Sequence, residues 1–357
     1  MLTECSACAR RRLTLRAASV APSGVASFNA LRIHGDDSRV DARLERLDID
    51  DLSPGEVVIR VAWSGINYKD ALAATGKGRI LRRFPLVGGV DLSGIVTESA
   101  SPDFAPGARV LVTGCGLSET RDGGYAEFAR VPADAVVPLP DSLDLKHAMA
   151  IGTAGFAAAL AVHRMEHNGL VPGRAPVVVT GATGGVGSIA IDILASRGHE
   201  VVAVTGKPQA AGDYLRALGA AKVVSRDELG LSDRPLEPTR WAGAVDNLGG
   251  AMLSWLLRSC HPWGSVASVG LAAGATLTTS VMPFILRGVN LLGINSAATL
   301  REPRLALWRR IGTDLAPRHL DRIVTDTVPL DALRAAFDRF IDGSNTGRTL
   351  VRLSGET

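Results

Sequence analysis

The chain has 357 residues, of which 46% are hydrophobic and 21% charged, and its formal net charge is +3. This length predicts two domains, and so small a charge without a basic stripe argues against nucleic acid as the partner. No uninterrupted apolar run reaches the roughly 18 residues that span a bilayer, so no membrane partner is expected. The chain contains four scattered cysteines, Cys5, Cys8, Cys115 and Cys260. They are too few for a disulfide scaffold and indicate a reducing compartment, so we expect a cytoplasmic protein.

Residues 1–26 differ in composition from the rest of the chain. This segment has a single acid, Glu4, and its arginines are Arg10, Arg11, Arg12 and Arg16. It lacks the apolar stretch of a secretory signal, and its arginine-rich character fits a transit-type leader only loosely. We therefore expect a disordered or extraneous N-terminal extension. Its Cys5–Cys8 pair has no second pair and no following strand–helix–strand unit, so neither zinc nor redox use is expected.

Residues 27–150 consist of short strand patterns separated by turns. The candidate strands are FNALRIHG, ARLERLDI, EVVIRVAW, SGIVTES, ARVLVTG, GYAEFARVP and AVVPLP. Glycine and proline interrupt them at intervals of roughly ten residues, which is typical of sandwiches and barrels. This part of the chain is therefore predicted to be a β-rich, barrel-like domain.

From residue 151 the pattern changes to apolar β-branched runs that alternate with helical patterns. The candidate strands are PVVVT, EVVAVT, AKVV, GAVDNLG, GSVASVG and VNLLGIN. Such alternation over residues 151–295 predicts an α/β fold with a doubly wound parallel sheet. The tail, residues 296–357, has two helical patterns and ends in the strand GRTLVRL. We expect this tail to fold back on the first domain.

A glycine-rich loop joins the first of these parallel strands to a helix. In PVVVTGATGGVGSIAIDILASRGHEVVAVTGK, residues 181–187 follow the strand directly. Glycines at this point let the backbone approach a pyrophosphate, and the helix N-terminus supplies N–H donors and a positive dipole. Ala182 replaces the first glycine of the GxGxxG pattern, which tightens the turn but keeps the site. We predict a dinucleotide site here, with a glycine-rich turn that binds nothing as the alternative.

The end of the second parallel strand predicts which dinucleotide is bound. An NAD site has an acidic residue about 20 residues beyond the loop, where it binds the ribose. This chain has Thr205-Gly206-Lys207 at that position. Glu200 lies at the opposite end of that strand. Without an acid a 2′-phosphate is not repelled, and Lys207 can pair with it, unless it is a solvated loop lysine. The predicted cofactor is therefore NADP, with Arg226 after the third strand as a second candidate cation.

A polar cluster follows the strand EVVIRVAW. The segment SGINYKDALAATGKG, residues 64–78, carries Asn67, Tyr68, Lys69 and Asp70 in succession. The only metal-like motif, HRMEH at residues 163–167, matches the HxxEH zinc-peptidase pattern but has no evident third ligand. The other histidines form no cluster, and structural zinc would need closely spaced cysteines. We therefore predict no metal.

Taken together, the β-rich domain, the segment VVVTGATGGVG and the short returning tail resemble the medium-chain dehydrogenase/reductase superfamily. Its zinc alcohol dehydrogenases carry a catalytic cysteine in the region of Ser64–Asp70 and Gly-His-Glu where this chain has Gly89-Val90-Asp91. Both ligands are absent here, which resembles the zinc-free quinone oxidoreductase branch. Four segments look like its acrylyl-CoA reductase group: INYKDALAATGKGRILRRFPLVGGVDLSG, VTGK, RPLEPTRWAGAVDNLGG and TTSVMPFILRGVNLLGINS. The resemblance covers about residues 28–353.

The resemblance implies a fold and a set of site residues. The fold is a GroES-like catalytic domain, residues 27–150 with 296–357, and a Rossmann dinucleotide-binding domain, residues 151–295. The implied cofactor contacts are Tyr68, Thr183, Gly184, Gly185, Val186, Thr205, Gly206, Lys207 and Arg226, with Leu271, Ile285 and Ser296 on the nicotinamide side. The group usually has Ser-Gly-Arg where this chain has Thr205-Gly206-Lys207. Lysine lacks the bidentate fork of arginine, so weaker affinity for the 2′-phosphate is expected.

The resemblance also implies a chemistry for the polar cluster. NADPH would deliver a hydride to the β-carbon of an α,β-unsaturated thioester, and the resulting enolate charge needs donors and a proton. The predicted catalytic residues are Tyr68, Asn67 and Asp91. Tyr68 is the candidate proton relay or enolate donor, or else it packs beside the nicotinamide without chemistry. Asp91 is expected to position the segment, with a direct catalytic role as the alternative.

A run of cations and an apolar segment suggest the substrate and the oligomeric state. The cations are Lys77, Arg79, Arg82 and Arg83; they could guide the phosphates of coenzyme A, or form a solvated basic loop. The preferred substrate is acrylyl-CoA or a similar short enoyl-CoA, and the alternative activity is NADPH:quinone oxidoreduction. A distant alternative is a cofactor-binding protein associated with RNA, which a chain with 4% aromatic residues does not favour. The segment VMPFILRGVNLLGI is apolar enough to pair sheet edges in a homodimer.

Overall fold

The structure is a computed structural model that describes residues 27–36 and 39–354. The expectations for residues 1–26 therefore lie outside the described residues. The first part of the described chain is rich in strands. Its elements are β1 (Phe28–Gly35), β2 (Val40–Leu47), β3 (Val57–Gly65), α1 (Tyr68–Thr75), β4 (Leu86–Val87), β5 (Asp91–Ser99), β6 (Arg109–Thr113), β7 (Phe128–Val131), β8 (Val137–Pro138) and the long helix α2 (Leu145–His167).

The remainder alternates strands with helices and then returns. The alternating elements are β9 (Val177–Thr180), α3 (Gly185–Ser196), β10 (Val201–Val204), α4 (Pro208–Ala217), β11 (Lys222–Val224), β12 (Trp241–Asp246), α5 (Gly250–Ser259), β13 (Cys260–Ser268), α6 (Met282–Arg287) and β14 (Asn290–Gly293). The tail contains α7 (Arg301–Ile311), α8 (Leu320–Ile323), β15 (Val324–Pro329), α9 (Leu333–Ile341) and β16 (Arg348–Arg352). Short 3₁₀ turns occupy Ile49–Asp51, Ala133–Ala135, Asp227–Leu229 and Leu330–Ala332.

The strands of the first part form two sheets, and the tail completes one of them. One sheet has the order β2-β1-β4, and the other has the order β15-β16-β3-β5-β6-β8, with β7 paired to β3. Residues Val57, Ile59 and Val61 of β3 are fully buried, because alternate side chains of this strand face one apolar cluster. Since β16 pairs with β3 antiparallel, the tail folds back on the first part of the chain and brings residues 350–352 beside residues 63–65. The domain limits proposed from the sequence stay a prediction.

Six parallel strands form the second half of the fold, in the order β11-β10-β9-β12-β13-β14. Numbered along the chain, this is the doubly wound order 3-2-1-4-5-6, which reverses between β9 and β12. The valines of β9, Val177 to Val179, are fully buried because helices cover both faces of such a sheet. The predicted Rossmann sheet is confirmed, and its reversal point lies at the carboxyl end of β9, where the phosphate loop begins.

Helix α2 links the two halves and bends at a glycine. Gly152 has φ 50° and ψ −157°, a conformation closed to residues with a side chain. A Cβ at this position would also lie 2.7 Å from both the Asp91 carboxylate and the Arg348 guanidinium. By length and composition alone α2 could cross a membrane, although its apolar residues do not form an uninterrupted run, but 78% of its apolar window is buried inside the protein.

Candidate functional site

The candidate site begins at the junction of β3 and α1. Asn67 is the N-cap of α1, and its backbone N–H donates to the Asp70 carboxylate at 2.8 Å, which is one half of a capping box. The Asp70 carboxylate also accepts from the Val90 N–H at 3.0 Å. Asp70 is therefore buried inside the first turn of α1. The turn fixes the position of the Tyr68 side chain, which belongs to the first residue of α1.

The carboxylate of Asp91, the first residue of β5, has no exposed surface. It accepts hydrogen bonds from the Asn67 side-chain amide at 2.8 Å and from the Thr153 N–H at 3.0 and 3.1 Å. The Thr153 hydroxyl donates to it as well. The bend at Gly152 presents both Thr153 groups to this carboxylate. The carboxylate oxygens of Asp91 therefore accept from protein donors, and its positioning role stays a prediction.

A buried guanidinium completes the cluster. Arg348 opens β16 and is 2% exposed. Its Nη1 donates to the carbonyl of Ile66 at 2.9 Å and to Asn67 Oδ1 at 3.2 Å. Its Nε donates to the carbonyl of Ala150 and its Nη2 to that of Met149, each at 3.1 Å. Arg348 was absent from the predicted site because it lies 281 residues from Asn67.

The cluster contains two buried carboxyl groups, those of Asp70 and Asp91, but one guanidinium. Burial and the nearby charges shift the pKa values of its members. Burial, followed by the negative charge of Asp91, raises the pKa of Asp70 to about 7. Burial also raises the pKa of Tyr125 well above its usual value, with Asp70 and Asp91 adding to the shift. Burial lowers the pKa of Arg348, against the opposing effect of Asp91. The cluster is thus poised to hold a proton near neutral pH.

The predicted proton donor faces the other way. Tyr68 is 47% exposed, and no hydrogen-bond partner for its hydroxyl is found among the described residues. Asn67, by contrast, points inward, since its amide contacts Asp70, Asp91 and Arg348. The adjacent Lys69 pairs with Glu119 of another loop.

The predicted phosphate loop lies between β9 and α3 as expected. Gly181 has φ 58°, and α3 begins at Gly185 with Gly184 as its N-cap. A Cβ on Gly187 would meet the Gly181 carbonyl oxygen at 2.4 Å and Ala182 Cα at 2.8 Å, so only glycine allows this tight return. A Cβ on Gly184 would meet nothing closer than 3.4 Å. The loop therefore leaves open space at the helix N-terminus, which fits a pyrophosphate.

The other predicted cofactor residues lie at the carboxyl ends of the parallel strands or in later loops. Thr205 is buried at the end of β10, Gly206 faces open space, and the Lys207 ammonium donates to the Asn345 carbonyl at 3.2 Å. Open space and a cation at this strand end fit an adenosine 2′-phosphate. Arg226 is exposed just after β11. Leu271, Ile285 and Ser296 lie in the loops and helix that flank β13 and β14, with the first two exposed.

The basic loop after α1 is only partly free. Lys77, Arg79, Arg82 and Arg83 are all exposed, and Arg83 also donates to the Ser53 hydroxyl at 2.8 Å and to the Thr120 carbonyl at 3.0 Å. Arg83 therefore has a structural role besides any contact with substrate. The carboxyl group of Asp342 has a lowered pKa, chiefly through hydrogen bonds from Ser344, with smaller contributions from Lys207 and Lys77.

No cluster of metal-ligating side chains is found in residues 27–36 and 39–354. In the HRMEH motif, Glu166 is paired with Arg197 at 2.7 Å and with Arg310 at 2.9 Å. His163 Nδ1 contacts the same Arg310 at 2.7 Å. These side chains form a charge network between α2, α3 and α7.

Comparison with known proteins agrees with this architecture. The alcohol dehydrogenase GroES-like domain matches residues 53–141, and the zinc-binding dehydrogenase domain matches residues 185–309. Acrylyl-CoA reductase AcuI of Ruegeria pomeroyi is 46% identical over 91% of this chain and 98% of its own length. YhfP of Bacillus subtilis, whose name assigns it to the quinone oxidoreductases, is also 46% identical, over 91% of this chain and 99% of its own length.

Solved structures of such relatives contain dinucleotides. The YhdH oxidoreductase of Salmonella enterica, crystallised with NADP, is 43% identical and superposes with a TM-score of 0.88 over 91% of this chain and 100% of its own. YhfP was crystallised with NAD and superposes with a TM-score of 0.88 over 92% of this chain and 100% of its own. The predicted fold is confirmed. The chain belongs to the medium-chain dehydrogenase/reductase superfamily, in the quinone oxidoreductase branch that includes the acrylyl-CoA reductase group.

Proposed function

We propose that the protein is an NADPH-dependent reductase of the carbon–carbon double bond of a short α,β-unsaturated acyl-CoA, with acrylyl-CoA reduced to propanoyl-CoA. The observation that carries the proposal is the arrangement around Asn67. Its neighbour Tyr68 presents a phenol to solvent, while Arg348 joins Asn67 to the phosphate loop. A donor beside a dinucleotide site suits the reduction of an electrophilic alkene.

The residues that would hold the cofactor follow the phosphate loop and the end of β10. Thr183, Gly184, Gly185 and Val186 would contact the pyrophosphate, while Thr205, Gly206 and Lys207 would hold the 2′-phosphate, assisted by Arg226. Leu271, Ile285 and Ser296 would line the nicotinamide side. When bound, NADPH supplies the hydride. The choice of NADPH over NADH is supported by the absence of an acid after β10 and by Lys207.

The polar cluster would stabilise the negative charge that forms on the substrate and supply a proton to it. Hydride arrival at the β-carbon moves negative charge onto the thioester oxygen, and the α-carbon then takes a proton. Tyr68 is the proposed donor because its hydroxyl is exposed. Asn67 and Asp91 would act indirectly, since their polar atoms already bond to protein groups. They would hold the first turn of α1, and with it Tyr68, in a fixed place.

The basic loop is proposed to receive the phosphates of coenzyme A. Lys77, Arg79, Arg82 and Arg83 are all exposed, and Lys77 and Arg82 are the two chosen for the test. Neutralising both should raise the KM for an acyl-CoA by roughly fivefold, because each exposed ion pair contributes about 0.5 kcal/mol. The KM for a benzoquinone should not change, since a quinone has no phosphate. The substitution Lys222→Gln, at the exposed first residue of the edge strand β11, serves as the control for the loss of an exposed cation.

The equal similarity to YhfP favours quinone reduction as a second candidate. NADPH oxidation by the purified protein should be measured in parallel with acrylyl-CoA, crotonyl-CoA and a benzoquinone, and with NADH in place of NADPH. Rapid turnover of acrylyl-CoA with NADPH alone is the expected result. Turnover of the quinone alone would refute the acyl-CoA assignment and would leave the basic loop as solvated surface.

We also propose that the protein is a cytoplasmic homodimer. The segment from α6 to β14 exposes Val281, Ile285, Leu286 and Leu291, and β14 is the edge strand of its sheet. An exposed edge with apolar neighbours is a natural surface for pairing with a second copy. Cys115 and Cys260 are free thiols, which supports a reducing compartment.

A further inference from the structure

The buried guanidinium of Arg348 contacts three separate parts of the chain. Its donors reach the carbonyl of Ile66 and the side chain of Asn67 before α1, and the carbonyls of Met149 and Ala150 before the bend of α2. Its Nη2 also lies 3.8 Å from the Asp91 carboxylate. Only the planar five-donor fork of arginine can serve these directions at once, because a lysine has three donors on a single nitrogen.

The same residue touches the phosphate loop. A Cβ on Gly185, the first residue of α3, would lie 2.8 Å from Arg348 Cδ, so the arginine stem packs directly against the loop. The preceding residue, Gly347, donates its N–H to the Thr183 carbonyl at 2.8 Å. The beginning of β16 therefore joins the loop on one side to the start of α1 on the other.

Burying the positive charge of Arg348 costs free energy, which argues that the residue has a specific role. A guanidinium that is 2% exposed loses most of its hydration, and an apolar side chain of similar size would fill the space without that loss. Four of its five N–H groups donate to protein atoms, and the Nη2 that carries the fifth lies 3.8 Å from the Asp91 carboxylate. Its contacts fix the spacing between the phosphate loop and Asn67.

We infer that Arg348 is a positioning residue that holds Asn67, and through it the Tyr68 hydroxyl, at a fixed place relative to the phosphate loop. This inference rests on the proposed function, since Tyr68 is taken there as the proton donor. A misplacement of about 1 Å can reduce a rate roughly 100-fold. Replacing Arg348 should therefore lower kcat and leave ground-state binding of the cofactor nearly unchanged.

The test is a double-mutant cycle between Arg348→Lys and Tyr68→Phe, with Arg352→Lys as the matched control on the exposed part of the same strand. Arg348→Lys should lower kcat by at least about tenfold when Tyr68 is present and by less than about threefold when Tyr68 is replaced, because two groups that act as one unit are not additive. Equal losses in both backgrounds would mean a general structural role and would overturn the inference. So would a kcat for Tyr68→Phe equal to that of the wild type.

The affinity for NADPH, which is independent of turnover, distinguishes a positioning role of Arg348 from a direct contact with the cofactor. The Kd for NADPH, measured by the change in nicotinamide fluorescence, should stay within about threefold of the wild-type value in Arg348→Lys, since four of the five Arg348 donors are bonded to protein groups. A rise of more than about tenfold would assign Arg348 to the cofactor phosphates and overturn the positioning role. If the wild type reduces quinone but no acyl-CoA, the proposed substrate fails, and the same cycle run with quinone still tests Arg348. Should Arg348→Lys prove unstable by its Tm, Asn67→Ala, which removes one acceptor of Arg348, takes its place in the cycle under the same criteria.

Discussion

The buried carboxyl of Asp70 should make the stability of the protein fall as the pH rises through neutrality. Its pKa is about 7 in the folded chain against an ordinary value of 3.8. The folded state therefore binds a proton that the unfolded state has released, so the contribution of Asp70 to stability is fully present below pH 3.8, falls between pH 3.8 and about pH 7, and is lost above that. At 1.36 kcal/mol for each pKa unit, the loss between pH 5 and pH 9 amounts to about 3 kcal/mol.

The substitution Asp70→Asn isolates this effect. An amide resembles a protonated carboxyl, with one acceptor oxygen and one donor group, but it does not ionise. The Tm of the variant should therefore gain on that of the wild type by roughly 4 °C between pH 5 and pH 9. The fully exposed Asp213, replaced by asparagine, controls for other effects of pH on the fold. A Tm difference for Asp70→Asn that stays constant, or that shrinks as the pH rises, would refute the argument that burial beside Asp91 keeps Asp70 protonated.

Three further substitutions test the cofactor site and the oligomeric state. Lys207→Ala should raise the KM for NADPH by roughly 10- to 100-fold in steady-state kinetics, because a charge-assisted hydrogen bond contributes about 1.5–3 kcal/mol. An equal rise in the KM for NADH would contradict a contact between Lys207 and the 2′-phosphate. Gly187→Ala should abolish NADPH binding in a fluorescence titration and lower the Tm, since its Cβ would lie 2.4 Å from the Gly181 carbonyl oxygen; unchanged affinity would count against the loop. Leu286→Asp should convert a dimer to a monomer in light scattering, because it would bury a charge at the proposed interface; a dimer that persists would place the interface elsewhere.

The fold was largely predictable because its strongest signals are local. β9 and β10 appear as uninterrupted β-branched runs, and a run of that kind between turn residues is read directly as a buried parallel strand. The short strand β4, Leu86–Val87, was missed. So was β15, Val324–Pro329. Its sequence, VTDTVP, alternates with polar residues and ends in proline, so it has the appearance of a loop. It forms because β16 offers a free edge in parallel register, which is a property of the tertiary structure.

The site was predictable only where its residues are neighbours in sequence or follow a familiar loop. Asn67 and Tyr68 stood out in one segment, whereas Arg348 and Thr153 did not, because their partners lie 281 and 62 residues away. A weak signal was present for Arg348. An arginine that opens the apolar strand RTLVR is unusual unless it is paired. What the sequence could not supply is the partner, since that depends on the return of the tail to β3.

Asn67 is bonded inside the protein and Tyr68 is exposed, so the two residues have different roles in the proposed site. An enolate could recruit the Asn67 amide only by breaking its bonds to Asp70, Asp91 or Arg348, and each broken bond would leave a buried group unpaired at about 1–3 kcal/mol. The phenol of Tyr68 can be recruited without such a loss. Changes in the buried frame should therefore act on the rate of the chemical step, whereas changes in the exposed basic loop should act on which substrate binds. A buried charge cluster that never touches the substrate would then determine how fast the exposed phenol transfers its proton.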